Sequence, residues 1–595
     1  MNEISRLFDV LDYQLANFPK PDSISAKENG KWKNYSTQEV KNIVDNVSLS
    51  LLKLGLKKDD KVALISPNCP EWNFIDLGTL QLGCQLVPLY PTSTSSDFQY
   101  TINHSESKIV FVYGQEHYDK IQKIRGELPH VQEIYSLQKI NGVKHFSEFL
   151  ELGKNDNPEI LKPYRDAVQS TDIATIVYTS GTTGVPKGVM LSHHNVVSNV
   201  VTSVKLLPVN STMKALSFLP LNHIFERMVF FVYMYVGVSI YFAESLDTIR
   251  DNLQEVKPHF FTTVPRLLEK VYDKIVLTGT GLKGIKKALF FWALNLGLKY
   301  DFEKENDFFY MAQLGIARKL VFSKWKQALG GNIVAIVSGA SALQERLSRV
   351  FWGAGIPVLE GYGQTETSPV VSVGTLEPIK GFRFGTVGKP IEGVEVKILQ
   401  EPGYREGEGE ILVKGPNVML GYYKNPDATK ETIEPDGWLH TGDIGIIIDG
   451  FIKITDRKKE LFKTSGGKYI APQKVENFIK SSLYIEQVMV VGAEKKFPAA
   501  LIVPSFANLQ EWCKLHNITV NSNEEMIKHP KVIQKIQEEV NKANESLAQF
   551  EKVKKFVLLP KEWTVESGEL TPSLKMKRRV ILENYKDLIE SLYIE

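Results

Sequence analysis

The segment with the clearest chemical character is YTSGTTGVPKG, at residues 178–188. It lies between the apolar runs IATIV and VML, so we predict a loop between two strands. Glycines permit tight turns whose N–H groups can point at an anion, and the hydroxyls and the lysine add further donors. The composition indicates a polyphosphate site rather than a Walker loop, with an exposed flexible loop as the alternative. The candidate ligands are Thr179, Ser180, Gly181, Thr182, Thr183, Gly184 and Lys187.

A second group of polar residues follows two apolar runs, NIVAIVSG at residues 332–339 and IPVLEGY at 356–362. We predict that these runs are parallel strands joined by a helix, which a capping box of Ser341 and Gln344 would start. Ligands of open α/β sheets bind beyond the carboxyl ends of the strands. Residues 338–341 and 360–366 should therefore lie side by side at one crevice.

The same alternation of strand and helix patterns runs through the first half of the chain and predicts parallel sheets covered by crossover helices. Further on, DIGIII and FIKIT flank Asp449-Gly450, a strong signal for a two-residue hairpin. The charged run DRKKE follows. Beyond it lie about 140 residues with their own strands and helices, enough for a separate domain. We place the domain boundary at residues 456–459.

Composition argues against several classes of protein. The 595 residues carry a formal net charge of only +2, so the protein lacks the strong positive charge that would favour binding to nucleic acid. The three cysteines form no CxxC pair, which argues against a zinc ribbon or a disulfide scaffold and suits a reducing cytoplasm. The chain starts without a secretory pattern. Its longest apolar stretch, residues 228–243, reads as a buried helix, a turn at Gly237 and a buried strand. We expect a cytoplasmic protein that is at most peripheral at a membrane.

Five segments together resemble the signature motifs of the adenylate-forming superfamily of acyl-CoA synthetases, luciferases and peptide-synthetase adenylation domains. Two of them, and helix-rich sequence near residues 271–329, look most like the long-chain fatty acyl-CoA synthetase branch. The five segments are, in order, YTSGTTGVPKG, LPLNHIFER, GYGQTET, WLHTGDIG and DRKKELFKTSGGKYIAP. The resemblance implies an α/β fold with a large N-terminal domain of parallel-rich α/β sheets (1–455). A hinge (456–459) would join it to a small mobile C-terminal α+β domain (460–595).

The resemblance also implies a chemistry. Such enzymes join a carboxylate to the α-phosphate of ATP, release pyrophosphate, and then pass the acyl group to coenzyme A. Thr182 and Glu366 resemble the ligands of Mg²⁺, a cation that prefers hard oxygen donors. Asp443 resembles the carboxylate that binds the ribose hydroxyls, and Arg457 resembles a further nucleotide contact. The slot for adenine would comprise Gly339, Ala340, Glu360, Gly361 and the stacking ring of Tyr362, with Gly363 and Thr365 beside them.

Two motifs near the end of the chain resemble the mobile parts of the family mechanism. Lys575, in TPSLKMKRR, resembles the lysine that bridges the carboxylate and the α-phosphate, although Leu574 precedes it where the family more often has glycine. Lys459 matches the hinge about which the small domain rotates between the half-reactions. Rotation would bring the SGGK loop, with Ser465, Gly466 and Gly467, against the pantetheine arm of coenzyme A.

Each of these residues also has a plain structural interpretation. Glu366 could be a helix cap or a surface carboxylate, Tyr362 an ordinary half-buried tyrosine, and Asp443 a turn residue. Lys459 could be one more surface charge. For residues 577–579 we favour a solvated or membrane-facing basic run.

The acyl pocket is expected along LPLNHIFERMVFFVYMYVG, residues 219–237. A long apolar chain needs a long apolar tunnel, but aromatic residues at helical spacing are also typical of a core. The candidate residues are His223, Phe225, Phe230 and Tyr235. The basic and aromatic stretch at residues 281–300 could lie in a membrane interface or pack as a helix on the large domain.

We therefore predict an AMP-forming long-chain fatty acid–CoA ligase that uses ATP, Mg²⁺ and coenzyme A and exists as a monomer or homodimer. Its partners would be small-molecule substrates, without nucleic acid and with a possible peripheral membrane contact. The alternatives are an acyl–acyl-carrier-protein synthetase and a ligase for medium-chain or aryl acids. In a different class, the chain could be a non-catalytic nucleotide- or lipid-binding protein. The lack of a GxSxG motif argues against a hydrolase.

Overall fold

The computed structural model describes residues 4–179, 185–401, 404–571 and 575–594, without the side chains of residues 305 and 306. The chain divides into two compact units. The first comprises the chain up to Leu268, Gly284–Val396 and Val413–His440. The second comprises Glu269–Lys283, Lys397–Leu412 and the chain from Thr441 onward. The second unit thus includes residues upstream of the predicted boundary at 456–459, and the hinge there stays a prediction.

The strands are short and spread over the whole chain. Those before residue 395 are β1 (Ile24–Glu28), β2 (Lys31–Tyr35), β3 (Lys61–Ile65), β4 (Gln85–Leu89), β5 (Ile109–Val112), β6 (Glu133–Ser136), β7 (Ile173–Thr179), β8 (Lys187–Ser192), β9 (Lys214–Ser217), β10 (Ser239–Phe242), β11 (Phe260–Thr263), β12 (Ala335–Ser338), β13 (Val358–Gly363), β14 (Val370–Val373) and β15 (Lys389–Pro390). The later ones are β16 (Glu395–Leu399), β17 (Gly409–Lys414), β18 (Gly421–Tyr422), β19 (Leu439–Ile448), β20 (Phe451–Arg457), β21 (Phe462–Lys463), β22 (Tyr469–Ile470), β23 (Ile485–Val491), β24 (Ala499–Pro504) and β25 (Lys555–Leu558).

Helices connect most of these strands. Those before residue 300 are α1 (Asp9–Asn17), α2 (Thr37–Lys53), α3 (Pro70–Gln81), α4 (Ser95–Ser105), α5 (Gln115–Gln122), α6 (Phe146–Glu151), α7 (Lys162–Ala167), α8 (His193–Leu206), α9 (Ile224–Val236), α10 (Ile249–Val256), α11 (Pro265–Thr280) and α12 (Gly284–Leu298). The later ones are α13 (Phe308–Ala317), α14 (Ser323–Ala328), α15 (Glu345–Gly353), α16 (Pro426–Thr432), α17 (Pro472–Ile479), α18 (Phe506–Leu515), α19 (Asn523–Met526), α20 (Pro530–Glu545), α21 (Arg578–Asn584) and α22 (Lys586–Ser591).

Two large sheets, both mostly parallel, form the first unit. A nine-stranded sheet has the order β15-β14-β13-β12-β11-β9-β10-β1-β2, and a seven-stranded sheet has the order β18-β8-β7-β4-β3-β5-β6. Their inner strands are apolar on both faces, as helix-covered parallel strands must be: β3, β4 and β5 are almost completely buried. The predicted α/β class and parallel sheets are confirmed. So are the helix, the turn at Gly237 and the strand β10 over residues 228–243.

The helix after β12 begins later than the sequence suggested. We expected Ser341 and Gln344 to form a capping box, but α15 begins at Glu345, and Gln344 is an N-cap without a side-chain hydrogen bond. The intervening residues form an irregular turn. β12 and β13 are nevertheless parallel neighbours, as predicted, with Ser338 opposite Glu360.

Smaller sheets belong mainly to the second unit, with the orders β16-β17-β19-β20 and β23-β24-β25. The predicted hairpin is confirmed: β19 and β20 pair in antiparallel register, and Asp449 and Gly450 both have positive φ, at 51° and 82°. α17, α18 and α20 pack their apolar faces on β23 and β24 to make a separate core.

The basic and aromatic stretch at 281–300 is packed only in its second half. In α12 the side of the helix with Phe290, Ala293, Leu294 and Gly297 is buried, which favours packing over membrane contact for this half, whereas residues 283–288 are exposed. None of the helices in the described part of the chain combines the length and the apolar character needed to cross a membrane.

Candidate active site

The predicted phosphate loop is anchored by two antiparallel strands. β7 ends at Thr179 and β8 begins at Lys187, and these residues face each other in the register. Both are half-buried, so the strands hold a hydroxyl and an ammonium at the two ends of the loop. The predicted ligands between them, Ser180, Gly181, Thr182, Thr183 and Gly184, lie outside the described residues.

An aromatic cluster packs beside the first of these strand ends. Nδ1 of His104 lies 2.8 Å from the hydroxyl of Tyr178 on β7. The His104 ring stacks on Tyr100 with centroids 5.3 Å apart and meets Tyr423 edge-on at 5.6 Å. Burial lowers the pKa of His104, and nearby Lys424 lowers it further, while burial raises the pKa of Tyr178. Both rings are therefore neutral at physiological pH, and the cluster fixes the strand that leads into the loop.

The carboxyl ends of three parallel strands bring together the predicted adenine residues. Thr263 on β11 pairs with Ser338 on β12, which pairs with Glu360 on β13. The hydroxyls of Thr263 and Ser338 are buried, and neither has a hydrogen-bond partner among the residues that the structure describes. Burial raises the pKa of Glu360 to about 8, so its carboxyl is largely protonated at neutral pH. Ala340 has φ 69°, a left-handed conformation that is uncommon without glycine.

The residues after Glu360 turn sharply at the end of β13. Gly361 and Tyr362 pair with β14, and a short 3-10 turn, Thr365–Thr367, carries Glu366. Gly363 must be glycine, because a β-carbon there would stand 1.7 Å from the carbonyl oxygen of Pro369. Tyr362 and Glu366 are both half-buried, so the turn leaves a ring and a carboxylate partly accessible at one strand end.

The Glu366 carboxylate is held by the segment around β18. The Tyr422 hydroxyl donates to Oε1 of Glu366 at 3.0 Å, and the backbone N–H of Met419 donates to the Glu366 carbonyl at 2.9 Å. The Nζ atom of Lys187 lies 4.8 Å from the centroid of the Tyr422 ring. One tyrosine therefore contacts both the predicted metal ligand and the predicted phosphate-binding lysine.

The first turn of α9 borders the predicted adenine residues. Nδ1 of His223 caps the helix by accepting a hydrogen bond from the backbone N–H of Phe225 at 3.2 Å. The Phe225 ring lies against Gly339, where a β-carbon would stand 3.2 Å from the nearest ring atom. The predicted acyl pocket and the predicted nucleotide slot therefore adjoin at this contact.

The other two acyl-pocket candidates make contacts typical of a core. Phe230 is 2% exposed and meets Phe231 edge-on with centroids 5.7 Å apart. Tyr235 is half-buried and stacks on Tyr13 of α1 at 4.5 Å. Their role as pocket walls stays a prediction.

Two buried ionisable residues in α9 were not predicted as important from the sequence. Glu226 accepts hydrogen bonds from the Ser217 hydroxyl at 2.6 Å and from the Thr262 hydroxyl, and burial raises its pKa to about 7. Arg227 binds both carboxylate oxygens of Asp76, at 2.8 and 2.5 Å. The sequence did contain a signal for their importance, because charged residue types inside an otherwise apolar helix need buried partners.

The two predicted nucleotide contacts of the second unit lie opposite each other. Asp443 on β19 pairs with Arg457 on β20, and Nε of Arg457 lies 3.4 Å from Oδ1 of Asp443. Gly442, with φ 70°, turns the chain before Asp443, and its N–H donates to Glu410 at 3.0 Å. The structure thus brings a carboxylate and a guanidinium together at one end of a hairpin.

A chain of charges continues from Arg457. Glu460 lies 3.7 Å from Arg457 and 3.0 Å from Arg578, which also pairs with Glu476. The Arg578 side chain is 16% exposed. The interpretation of Arg578 as part of a solvated basic run is therefore wrong, because two carboxylates bind it inside the second unit. The run ends in Arg579, which is exposed as expected.

The remaining predicted residues also belong to the second unit. The backbone N–H of Lys575 donates to Oγ1 of Thr571 at 3.0 Å, and the Thr571 N–H donates back to the Lys575 carbonyl at 2.8 Å. The residues between them, including Leu574, lie outside the described residues. Lys459 is exposed, as are the predicted coenzyme A contacts Ser465, Gly466 and Gly467.

Comparisons with known proteins agree with these motifs. Residues 11–423 match the model of the AMP-binding enzyme family. Residues 460–595 match a second model, that of the AMP-binding enzyme C-terminal domain. The chain is 32% identical over 573 residues to the long-chain-fatty-acid–CoA ligase FadD15 of Mycobacterium bovis, covering 95% of this chain and 93% of that protein. It is 33% identical over 607 residues to long-chain-fatty-acid–CoA ligase 1 of Homo sapiens, covering 95% of this chain and 82% of that protein. The crystal structure of the anthranilate CoA ligase AuaEII in complex with anthranoyl-AMP has a TM-score of 0.72 at 19% identity, covering 98% of both chains.

Proposed function

Because the chain belongs to the AMP-binding enzyme family, we propose that it is a long-chain fatty acid–CoA ligase that forms acyl-AMP as its intermediate. The observation that carries the proposal is the identity of 32–33%, over nearly the full chain, to proteins named long-chain-fatty-acid–CoA ligase. In the first half-reaction, the fatty acid carboxylate attacks the α-phosphorus of ATP and pyrophosphate leaves. In the second, the thiol of coenzyme A attacks the acyl carbonyl and AMP leaves.

The triphosphate of ATP would bind between the phosphate loop and the Glu366 turn. Thr179, Lys187 and the loop residues between them offer hydroxyl, ammonium and backbone donors to phosphate oxygens. The half-buried carboxylate of Glu366 is a hard oxygen donor of the kind that Mg²⁺ prefers. With Thr182 as a second oxygen ligand, Mg²⁺ would neutralise charge on the phosphates. Lys187 would stabilise the negative charge that develops on the phosphoryl oxygens.

The nucleoside would be held at two strand ends. The Tyr362 ring would stack on adenine, beside Gly339, Ala340, Glu360 and Gly361. The Asp443 carboxylate would accept hydrogen bonds from both ribose hydroxyls, and the facing guanidinium of Arg457 would orient that carboxylate.

The two half-reactions would use different faces of the second unit. Lys575 would bridge the attacking carboxylate and the α-phosphate during adenylation. Rotation at Lys459 would then remove Lys575 and bring Ser465, Gly466 and Gly467 to the pantetheine arm. The acyl chain would run past His223 and Phe225 into the large unit, with Phe230 and Tyr235 further along.

We propose a cytoplasmic enzyme that docks peripherally on anionic membranes through α13 and the π-helical turn Arg318–Phe322 that follows it. Four apolar side chains on this segment are exposed: Phe308 by 78%, Phe309 by 77%, Ile316 by 53% and Leu320 by 48%. Residues 308–328 include four basic residues and no acidic one. Exposed aromatics at the start of this segment and basic residues at 318, 319, 324 and 326 favour the interface of an anionic bilayer, where fatty acids also partition, although Asp307 directly precedes Phe308.

The experiment that tests the proposed function is acid-dependent exchange of labelled pyrophosphate into ATP. Purified protein with ATP, Mg²⁺ and palmitate should catalyse the exchange and should form acyl-CoA when coenzyme A is added. A series of acids, tested with free coenzyme A and with acyl-carrier protein, distinguishes the long-chain ligase from the medium-chain, aryl and carrier-protein alternatives. Failure of every carboxylic acid to support exchange would refute the enzymatic proposal.

A further inference from the structure

Tyr422 occupies a central position between two groups of opposite charge. It lies on β18, which pairs with β8 so that Tyr422 faces Val189. The residue is 8% exposed, and its backbone N–H donates to Oγ1 of Thr429 at 2.9 Å. The backbone of Tyr422 is therefore held both by its own strand and by α16, the helix that follows.

The hydroxyl end of the ring meets Glu366. The Tyr422 hydroxyl is a neutral donor 3.0 Å from Oε1 of a carboxylate that is 56 residues away in sequence. In this pair the hydroxyl is the donor, because an ionised carboxylate can only accept hydrogen bonds. A hydrogen bond from a neutral donor holds one oxygen in place without cancelling the charge of the carboxylate.

The face of the same ring meets Lys187. An ammonium 4.8 Å from a ring centroid is attracted to the electron-rich face of the ring. This attraction orients the cation and supplies no negative charge that would compete with phosphate oxygens. Tyr422 thus contacts a carboxylate and an ammonium without supplying a counter-charge to either.

The backbone around Tyr422 is tied to the same turn. The N–H of Met419 donates to the Glu366 carbonyl at 2.9 Å, and the Asn195 amide donates to the carbonyls of Pro416 and Val418 at 2.7 and 2.9 Å. These bonds connect residues 416–422 to the Glu366 turn and to α8. The Tyr422 ring can therefore transmit a fixed geometry to both side chains.

We propose that Tyr422 is a positioning residue for the Mg²⁺-bound triphosphate: its hydroxyl sets the orientation of the Glu366 carboxylate, and its ring face sets the position of the Lys187 ammonium. The proposal rests on the proposed function, since it assigns Glu366 and Lys187 to the triphosphate. It predicts that Tyr422 affects the binding of the metal–triphosphate more than the binding of AMP, which lacks the β- and γ-phosphates.

Two substitutions separate the two contacts. Tyr422→Phe removes the hydroxyl and keeps the ring face for Lys187, whereas Tyr422→Leu removes both. Tyr423→Phe is the matched control, because Tyr423 is the next residue in the chain and its ring packs on His104 rather than on Lys187. Thermal unfolding of each variant shows whether the fold is retained, and Tyr422→Phe is conservative enough to keep it.

The experiment measures the Kd of Mg²⁺–ATP and of AMP for the full chain by calorimetric titration, and the enhancement of water proton relaxation by Mn²⁺–ATP. Tyr422→Phe should weaken Mg²⁺–ATP binding roughly tenfold, the usual effect of losing a hydrogen bond to a charged group. It should lower the Mn²⁺ relaxation signal in parallel and leave the Kd of AMP within twofold. Tyr422→Leu should weaken Mg²⁺–ATP binding further, and Tyr423→Phe should match the wild type.

Two results would overturn the inference. Wild-type values for Tyr422→Phe in both the ATP and Mn²⁺ measurements would show that the hydroxyl positions nothing. Equal losses for AMP and Mg²⁺–ATP would show a merely structural role. Failure of the proposed function looks different, because the wild-type chain itself would then neither bind Mg²⁺–ATP nor exchange pyrophosphate.

Discussion

The ring of Phe225 lies against Gly339, and a β-carbon at position 339 would stand 3.2 Å from its Cε1 atom. Phe225 lies in the first turn of α9, and Gly339 directly follows β12. The two residues come from segments proposed to bind different substrates, the acyl chain and the adenine. A substitution at either residue should therefore affect the binding of both substrates.

Replacing Gly339 with alanine should impair adenylation by displacing the Phe225 ring. The ring must move by a few tenths of an ångström to admit the methyl group. Because the ring borders both proposed substrates, we expect a loss of roughly tenfold in the kcat/KM of pyrophosphate exchange, about 1.4 kcal/mol in the barrier. The double variant with Phe225→Leu should recover most of the loss, because the smaller side chain makes room. If the double variant is no better than Gly339→Ala alone, the ring contact does not carry the effect.

The parts of the fold that follow from local pattern were predictable. A pattern of a few neighbouring residues is enough to indicate each of these elements. They are the buried strands β3, β4 and β5, the hairpin at Asp449 and the parallel neighbours β12 and β13. The start of α15 was not predictable, because Ser341 and Gln344 have capping types but lie in an irregular turn before the helix. Residue types at the right spacing indicate a cap only if the backbone is already helical between them.

The candidate site was also predictable only in part. Motifs located Glu366, Asp443 and Arg457, but nothing in the sequence could connect Glu366 to Tyr422, since the strand pairing of β18 with β8 decides that contact. The burial of Arg578 was also hidden, because its carboxylate partners lie 118 and 102 residues away. Long-range partners of polar side chains depend on topology, which a single sequence does not specify.

Lys575→Ala should separate the two half-reactions. The ammonium is proposed to stabilise charge only while the acyl phosphate forms, so adenylation should fall by roughly 100-fold or more. Thioester formation from supplied acyl-AMP should stay within a few-fold of wild type. Lys577→Ala, two residues along and of the same charge, is the control and should leave both rates intact. Equal losses in both half-reactions for Lys575→Ala would refute the assigned role.

Lys459→Pro should have the opposite effect. Proline fixes φ near −65° and removes the backbone rotation that the proposed hinge needs. We expect pyrophosphate exchange within about threefold of wild type and a thioester rate reduced by at least tenfold, since rotation would be needed only for the second step. Lys459→Ala removes the charge but keeps the backbone free, and should retain both activities. A normal thioester rate in the proline variant would exclude this residue as the hinge.

Replacing both Phe308 and Phe309 with serine should weaken membrane binding. Each exposed ring could bury its apolar surface in a bilayer, a gain of about 1.5–3 kcal/mol, so co-sedimentation with vesicles containing phosphatidylglycerol should fall by tenfold or more. Vesicles of phosphatidylcholine alone and high salt should both reduce wild-type binding, because basic residues contribute.

Leu515→Ser is the matched control for this surface, because Leu515 is also 78% exposed but belongs to the second unit. It should bind vesicles like the wild type. Unchanged binding by the Phe308 and Phe309 variant would refute this docking surface. A change in oligomeric mass without a change in vesicle binding would instead assign the face to contact with a second copy of the chain.

Glu226→Gln should flatten the dependence of stability on pH. Burial raises the pKa of Glu226 to about 7, whereas an exposed glutamate titrates near 4.3. Below about pH 4 the group is protonated in both the folded and unfolded chains. As pH rises towards 7, the unfolded chain releases this proton and the folded chain retains it, so the contribution to stability is lost progressively. Above pH 7 the folded chain carries a buried carboxylate, and the loss levels off at on the order of 3 kcal/mol.

A glutamine resembles the protonated form of Glu226 and can still exchange hydrogen bonds with the hydroxyls of Ser217 and Thr262. The urea midpoint of the wild type should therefore fall between about pH 4 and pH 7 by more than that of Glu226→Gln, and the two should converge near pH 4. Glu116→Gln, on an exposed face of α5, is the control and should follow the wild type. Parallel midpoints for wild type and Glu226→Gln across this range would mean that Glu226 is not protonated in the folded chain, and that hydrogen bonds to an ionised carboxylate hold α9 on the sheet.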